Sequence, residues 1–390
     1  MNKSNSVPYW RLSGFYFFYF ATLGCFIPYW GLYLKGIGFS PIEIGELSAF
    51  LVGTKIVAPL IWGWIADHTG KSLRLIRIAL FFAALLFACF LYVQHYRWFA
   101  SITLAFSFFW NAVLPQFEAV TLCHLKNESH RYSQIRLWGS IGFIVTVLGM
   151  GWILDKQPVA IIPFAIIFFL SSNWFVTLLM PEATVSHETA NHGIIQIIKK
   201  PEVLAFFVVN LLLQVSHSPY YVFYSIYLKH NHYSATVTGL LWALGVLAEI
   251  VLFVYMRRLL KHFSLRAILL VSLVLASTRW LIIGWCPEYL GLLIFAQLLH
   301  AATFGGAHVV AIHLVHLYFG DRHQGKGQAL YTSLSFGVGG VLGSLYSGYY
   351  WESLGSKTVF SMAALLCGVA FLIAYFWVGR ESSKKSVVLG

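Results

Sequence analysis

Twelve runs of about 20 apolar residues recur along the chain, each long enough as a helix to cross a hydrocarbon core of roughly 30 Å. They lie near 12–34, 44–66, 75–94, 98–122, 136–154, 158–180, 203–228, 238–257, 266–286, 288–316, 329–351 and 358–379. Backbone polar groups have no partner in lipid, so each run is expected to form a helix rather than an open strand. Composition points the same way. Of 390 residues, 59% are hydrophobic, 17% aromatic and only 10% charged, and the mean hydropathy is +0.74. A soluble domain carries about 25% charged residues to wet its surface. Soluble enzymes, nucleic-acid binders, secreted disulfide scaffolds and disordered tails are therefore excluded. The fold class expected is an all-α integral membrane protein with twelve transmembrane helices.

The longest polar stretch, 181–202, holds Glu182, His187, Glu188, Asn191, Lys199 and Lys200 and divides the runs six and six. The expected organisation is a six-helix bundle over 1–180, a linker over 181–202 and a second six-helix bundle over 203–390. Placement of the basic residues sets the orientation. With the N-terminus in the cytoplasm, 19 of the 26 Lys and Arg residues fall in inside segments. Only Lys35, Arg97, Lys156, Lys229 and Lys357 fall in outside loops, and Lys55 and Arg279 lie within spans. This is the positive-inside pattern, with both termini cytoplasmic. It also accounts for the net charge of +12 without a nucleic-acid partner. The apolar run after Arg11 is too long for the h-region of a cleaved signal peptide. Cys25, Cys89, Cys123, Cys286 and Cys367 are scattered and form no CxxC pair, so they read as small hydrophobes within helices.

The two halves repeat. At an offset of 194, LKGIGFSPIEIGELSAFLVGTKI (34–56) aligns with LKHNHYSATVTGLLWALGVLAEI (228–250), with eight identities in 23 positions. Leu34/Leu228, Lys35/Lys229, Ser40/Ser234 and Gly45/Gly239 are among the matched pairs, and Lys55 falls opposite Glu249. Such parallel repeats are what an alternating-access carrier needs.

On these features the chain resembles the major facilitator superfamily over its whole length. Gly63-Trp-Ile-Ala-Asp67-His68-Thr69-Gly70-Lys71 is similar to the superfamily's loop signature GxxxD-(R/K)-x-G-(R/K), with His68 in place of the usual base. The signature implies a gating role for Gly63, Asp67, Gly70 and Lys71. Gly63 is expected to permit close helix approach and Asp67 to pair at a helix end. Arg136-Leu-Trp-Gly-Ser140, Leu241 to Glu249, Thr278-Arg279-Trp280 and Leu299 to Gly305 resemble the 3-phenylpropionate permease branch, near the lactose-permease and nucleoside proton symporters. Ile27-Pro28-Tyr29-Trp30 and Leu34 to Gly38 also fit that branch.

Charges inside spans are rare and expensive, so each is a candidate for function. Glu249, Arg279 and His300 fall near the middle of spans eight, nine and ten, at comparable depth. An acid, a base and an imidazole there could hold a proton and exchange it against a substrate anion. The lactose permease carries acid, Arg and His in this helix order. Its further acid, one turn beyond the His, is here Thr303. Glu118 and Arg136 form a second pair, at a spacing that in the lactose permease holds substrate. Asn111 shares a helix face with Glu118 through i, i+4, i+7 spacing. Lys55 requires an anionic partner, either the substrate or Glu118.

Span seven carries Asn210, Gln214, His217, Tyr221 and Tyr224 at alternating steps of four and three residues. A polar stripe of this kind is expected to line the central cavity, or else to form a seam between helices. His308, His313 and His316 spread too widely around their helix to hold a metal. Gly337, Gly339, Gly340 and Gly343 read as packing surface rather than a nucleotide loop.

The expected function is proton-coupled import of a small organic acid by a monomeric carrier in the bacterial inner membrane. The resemblance implies an aromatic monocarboxylate such as 3-phenylpropionate. A proton symporter of a neutral nucleoside or oligosaccharide is the alternative. A multidrug antiporter lacks support, because span five has no Gly-Pro-x-x-Gly-Gly pattern. No nucleophile–base pair points to an enzyme, no long soluble domain points to a receptor, and no cofactor is expected.

Overall fold

The structure, a computed structural model, describes residues 7–125, 128, 131–182 and 193–379. The linker residues His187, Glu188 and Asn191 lie outside the described residues, as do Lys3, Lys126, Arg380, Lys384 and Lys385. The described chain is helical and contains no strand. Its helices are α1 (Tyr9–Gly36), α2 (Pro41–Thr69), α3 (Ser72–Ala88), α4 (Tyr96–Leu125), α5 (Tyr132–Leu154), α6 (Ile162–Leu178) and the short α7 (Ile195–Ile198). There follow α8 (Pro201–His230), α9 (Ala235–His262), α10 (Leu265–Trp285), α11 (Leu290–His300), α12 (Ala307–Tyr331), α13 (Gly340–Ser353) and α14 (Ser356–Trp377).

Two π-helical segments, Ala301–Gly306 and Thr332–Gly339, join α11 to α12 and α12 to α13. The result is one 64-residue stretch, Leu290–Ser353, among eleven helices of the described residues that are long and apolar enough to cross a membrane. At 1.5 Å per residue that stretch would reach about 96 Å, three times the hydrocarbon thickness. It cannot be one crossing. Gly320 breaks it, with φ 63° and ψ 175°, a backbone conformation open to glycine and avoided by residues with a Cβ. The stretch therefore supplies two crossings, and the twelve expected runs are recovered.

The outward faces are apolar. On α6, Phe164, Phe168 and Phe175 are 58%, 61% and 58% exposed and fall on one helical face. Water would penalise such a stripe; lipid tails do not.

The chain resolves into two compact units. Unit 1 comprises Met1–Glu43, Phe50–Glu188 and Ser234–Gly239, and unit 2 comprises Ile44–Ala49, Thr189–Tyr233 and Leu240–Gly390. In unit 1, α1 packs along α5 and α6, and α3 packs on α4 and α6. A Cβ at Gly24 would lie 2.7 Å from the carbonyl oxygen of Phe143, and one at Gly142 would strike the backbone of Phe17. These glycines let α1 and α5 approach closely. Arg77 on α3 closes the end of α6: its Nε donates to the Thr177 carbonyl at 3.0 Å and its Nη2 to that of Met180 at 2.9 Å. Its Nη1 pairs with Glu182 at 2.7 Å. A cation on the last carbonyls of a helix also complements the helix dipole.

The repeat is visible in the helix caps of unit 1. Ser40 Oγ accepts the Glu43 N–H, and the Glu43 carboxylate accepts the Ser40 N–H at 2.8 Å, which is a capping box. Ser234 caps the first turn of α9 in the same register, accepting from Val237 N–H. The two remaining free N–H groups there, of Ala235 and Thr236, donate to the Asp155 carboxylate at 2.7 and 3.2 Å. Partial desolvation pushes the Asp155 carboxyl up, but hydrogen bonds from Thr236, Ala235 and Ser234 outweigh it and hold the group below its usual value.

In unit 2, α8 packs on α13 and α14, and α10 packs on α14. Gly343 meets the Ser218 side chain, and Gly339 lies against Leu211 and Gln214 of α8. These two glycines form packing surface, as the sequence suggests.

Candidate functional site

Each unit carries its own polar constellation. In unit 1 it follows α2, α4 and α5. Asn111 is buried and spends both amide hydrogens on α2, donating to the Leu51 carbonyl and to Thr54 Oγ1, each at 2.8 Å. It ties α4 to α2. Lys55 follows Thr54 in sequence and is half-buried. Glu118 accepts from Tyr132 Oη at 3.3 Å. The Arg136 guanidinium lies 3.9 Å from the centroid of the Phe20 ring, and it interacts electrostatically with Glu118. A guanidinium over an aromatic face keeps its hydrogen-bonding edge available.

The expected gating loop is only partly explained by packing. A Cβ at Gly63 would meet nothing within 4 Å, so the close helix approach expected there is absent among the described residues. The conformational demand sits at Gly70 instead, which ends α2 with φ 64° and donates its N–H to the Ala66 carbonyl at 2.8 Å. Asp67 and Lys71 are exposed on either side of it.

In unit 2 the centre is Arg279 on α10, fully buried. Its Nη2 donates to Gln297 Oε1 at 3.4 Å, and its guanidinium carbon lies 4.3 Å from the Tyr220 ring centroid and 4.6 Å from that of Trp280. Nε and Nη1 have no hydrogen-bond partner among the described residues. Gln297, also fully buried, organises the surroundings. Its Oε1 accepts from Tyr220 Oη at 3.0 Å, and its Nε2 donates to Tyr224 Oη at 2.8 Å. His300 follows one turn later, buried, with Nδ1 unpartnered among the described residues. Glu249 on α9 is half-buried beside Gly305 of the first π segment and interacts electrostatically with Tyr221. The structure thus groups Arg279 with Gln297, Tyr220, Tyr224, His217 and His300, and sets Glu249 against Tyr221 and Gly305.

A narrow cleft opens beside this group, lined by Asn210, Gln214 and His217 of α8 together with Thr303, Phe304, His308, Tyr331, Ser335 and Phe336. His217 is buried and bonds the Leu213 carbonyl through Nδ1 at 2.8 Å. Asn210 donates to the Phe206 carbonyl at 2.8 Å. Three of the five polar residues expected along span seven line this cleft; Tyr224 belongs to the Gln297 network, and Tyr221 stacks on His217. The three later histidines separate: His308 meets Tyr331 Oη at 3.0 Å, His313 the Val309 carbonyl at 2.8 Å, and His316 Gln324 Oε1 at 3.3 Å.

Sequence reasoning missed Gln297, Ser335 and Phe336, and named Thr303 and Phe304 only within the resemblance. Gln297 had a signal, a lone amide three residues before His300 in an otherwise apolar run. The π segments had none that periodicity could reveal.

Residues 9–362 match the MFS_1 like family. The chain belongs to that family. It is a multi-pass membrane transporter of the major facilitator type and not an enzyme. Among curated relatives, it is 27% identical over 371 residues to the "Probable 3-phenylpropionic acid transporter" of Escherichia coli (strain K12), covering 92% of this chain and 95% of that one. It is 27% identical over 379 residues to the "Maltose permease" of Geobacillus stearothermophilus, covering 92% of each. Among solved structures, the nucleoside transporter NupG superimposes with a TM-score of 0.82 at 16% identity, over 95% of this chain and 98% of that one. At that identity the likeness speaks to the fold alone.

Proposed function

We propose that this transporter imports a small organic anion, an aromatic monocarboxylate, together with a proton. The observation that carries the reading is Arg279. A buried guanidinium with two unused donor groups costs several kcal/mol unless a counter-charge completes it. A substrate carboxylate is such a counter-charge, and Arg binds carboxylates bidentately. Tyr220, Trp280 and Tyr221 give the surroundings the aromatic faces that a phenyl-bearing acid would meet. The name of the Escherichia coli relative is consistent with that substrate class.

Glu249 is assigned the proton and His300 a supporting role. A carboxyl group half withdrawn from water is able to cycle between charged and neutral forms. In unit 1, Lys55, Glu118 and Arg136 are assigned to the substrate, with Asn111 holding α2 and α4 in register. The carrier works by alternating access as a monomer in the bacterial inner membrane, both termini in the cytoplasm. A neutral nucleoside or oligosaccharide is the second reading, favoured by the absence of Asp, Glu, Lys and Arg from the described lining of the unit 2 cleft.

Counterflow in proteoliposomes tests these assignments. Labelled 3-phenylpropionate should exchange and be accumulated under an inward proton gradient, and uridine and maltose should not compete. Glu249→Gln should keep exchange and lose accumulation, whereas Arg279→Ala should lose both. Accumulation by Glu249→Gln equal to that of the parent would remove Glu249 from the coupling role.

A further inference from the structure

Two residues that line the cleft in unit 2 each hold a buried polar atom with no partner among the described residues, His217 Nε2 and Ser335 Oγ. His217 and Ser335 are only 1% and 2% exposed. The state of the imidazole follows from its other nitrogen. Nδ1 bonds a backbone carbonyl, which can only accept, so Nδ1 carries the hydrogen and a neutral His217 offers Nε2 as an acceptor. Ser335 Oγ can give or take a hydrogen bond. The cleft's lining residues therefore hold one acceptor and one hydroxyl, and burial makes it costly to leave either unmet.

The walls say what surrounds these atoms. Phe304 and Phe336 contact edge to face, with centroids 6.2 Å apart. The Phe304 ring lies parallel to His300 and His308 within 9° on each. These aromatic surfaces suit a planar ring. Both π-helical segments among the described residues border the same cleft, Ala301–Gly306 supplying Thr303 and Phe304, and Thr332–Gly339 supplying Ser335 and Phe336. Single π turns inside α-helices frequently mark functional sites, since the ordinary α-helical register has to be given up to form them. Arg279 interacts electrostatically with both His217 and His300, which disfavours a cationic donor in this cleft. A neutral donor is required for His217 Nε2, and a hydroxyl, which can also accept from Ser335, is the simplest.

We infer that this cleft is a subsite for a ring hydroxyl, so that the preferred substrate is a hydroxylated aromatic acid rather than the unsubstituted one. The inference rests on the organic-anion reading above and names the substrate more narrowly. His217 is the specificity-determining residue, Ser335 its partner, and Phe304 and Phe336 the walls.

The test is counterflow by the full-length protein in proteoliposomes, with 3-phenylpropionate and its ortho-, meta- and para-hydroxyphenyl analogues as competing solutes. At least one hydroxylated isomer should compete about tenfold better than the unsubstituted acid, because a site built to pair a hydroxyl discriminates strongly against its absence. His217→Phe should erase that advantage, weakening the favoured hydroxylated isomer about tenfold more than it weakens 3-phenylpropionate. His217→Gln, which restores an acceptor, should recover part of the preference, and Ser335→Ala should lose part of it. If the parent exchanges 3-phenylpropionate and shows no preference for any hydroxylated isomer, the subsite is overturned while the aromatic-acid reading stands. If none of the four acids exchanges, the aromatic-acid reading falls and this inference with it. Equal loss of all four acids in both His217→Phe and Ser335→Ala would assign these side chains to packing and overturn the subsite.

Discussion

Ser40 and Ser234, at equivalent positions of the repeat, each accept the backbone N–H three residues ahead, at 3.3 and 3.2 Å. The two caps differ in what completes them. Ser40 works with Glu43 of its own helix, whereas the α9 cap is completed by Asp155 from the end of α5. Ser40→Ala should therefore cost about 1 kcal/mol and Ser234→Ala less, since Asp155 would still satisfy two N–H groups. Thermal unfolding of the two variants in detergent gives the comparison. A larger loss for Ser234→Ala would show that the Asp155 contacts are not independent of the serine.

Asp155 predicts a pH response of definite sign. Its carboxyl is held below the ordinary value of 3.8, so its contribution is complete above that value and lost as pH falls through the folded-state value. Between pH 5 and 8 the stability difference between the parent and Asp155→Ala should be flat. It should shrink only under strong acid. The site is exposed, so the difference is expected to be about 0.5 kcal/mol. A difference that changes between pH 5 and 8 would assign the response to another group.

Gln297 provides a direct test of the buried cation. Gln297→Glu replaces the amide that meets Arg279, Tyr220 and Tyr224 with a carboxylate of the same shape. The variant would carry its own counter-ion. Exchange of 3-phenylpropionate should fall at least tenfold, with the folded protein retained, because an internal carboxylate competes with the substrate's. Exchange at the parental rate would place anion binding elsewhere.

Asp67→Asn should slow the transport cycle more than it weakens binding, because Asp67 is exposed near the end of α2, remote in sequence from Lys55 and Asn111. Maximal exchange rate and half-saturating concentration separate the two effects. A variant that keeps its rate and loses affinity contradicts the gating role.

A reporter fused within 181–202 and active only outside the membrane should be silent, following the distribution of Lys and Arg. Strong activity from that fusion reverses the orientation.

The fold was largely legible, and the site only in part. Each crossing had to present an apolar run, so hydropathy alone locates the helices. The polar gap between 316 and 329 suggested a loop, yet helix persists on both sides of Gly320, because a single glycine φ can turn the chain without unwinding its neighbours. Arg279 and His300 stood out as titratable groups in apolar runs. Ser335, Phe304 and Phe336 did not, since serine and phenylalanine are ordinary in such runs and π segments alter which residues face inward. Gly63 illustrates the opposite failure. A glycine in a signature invites a packing explanation, and the structure shows open space around it.

Gly320 also bears on how the chain is assembled in the bilayer. Everything from Leu290 to Ser353 can form as one helical rod on leaving the ribosome, with a single backbone pivot at which to fold back. A straight rod of that length would carry the second apolar half out of the membrane into water. The return of the hairpin, and with it the insertion of the final helices, depends on one residue that lacks a side chain. A Cβ at that point would favour the straight rod, and the error would be one of biogenesis rather than of transport, since no residue of the cleft or of the Arg279 group would have changed.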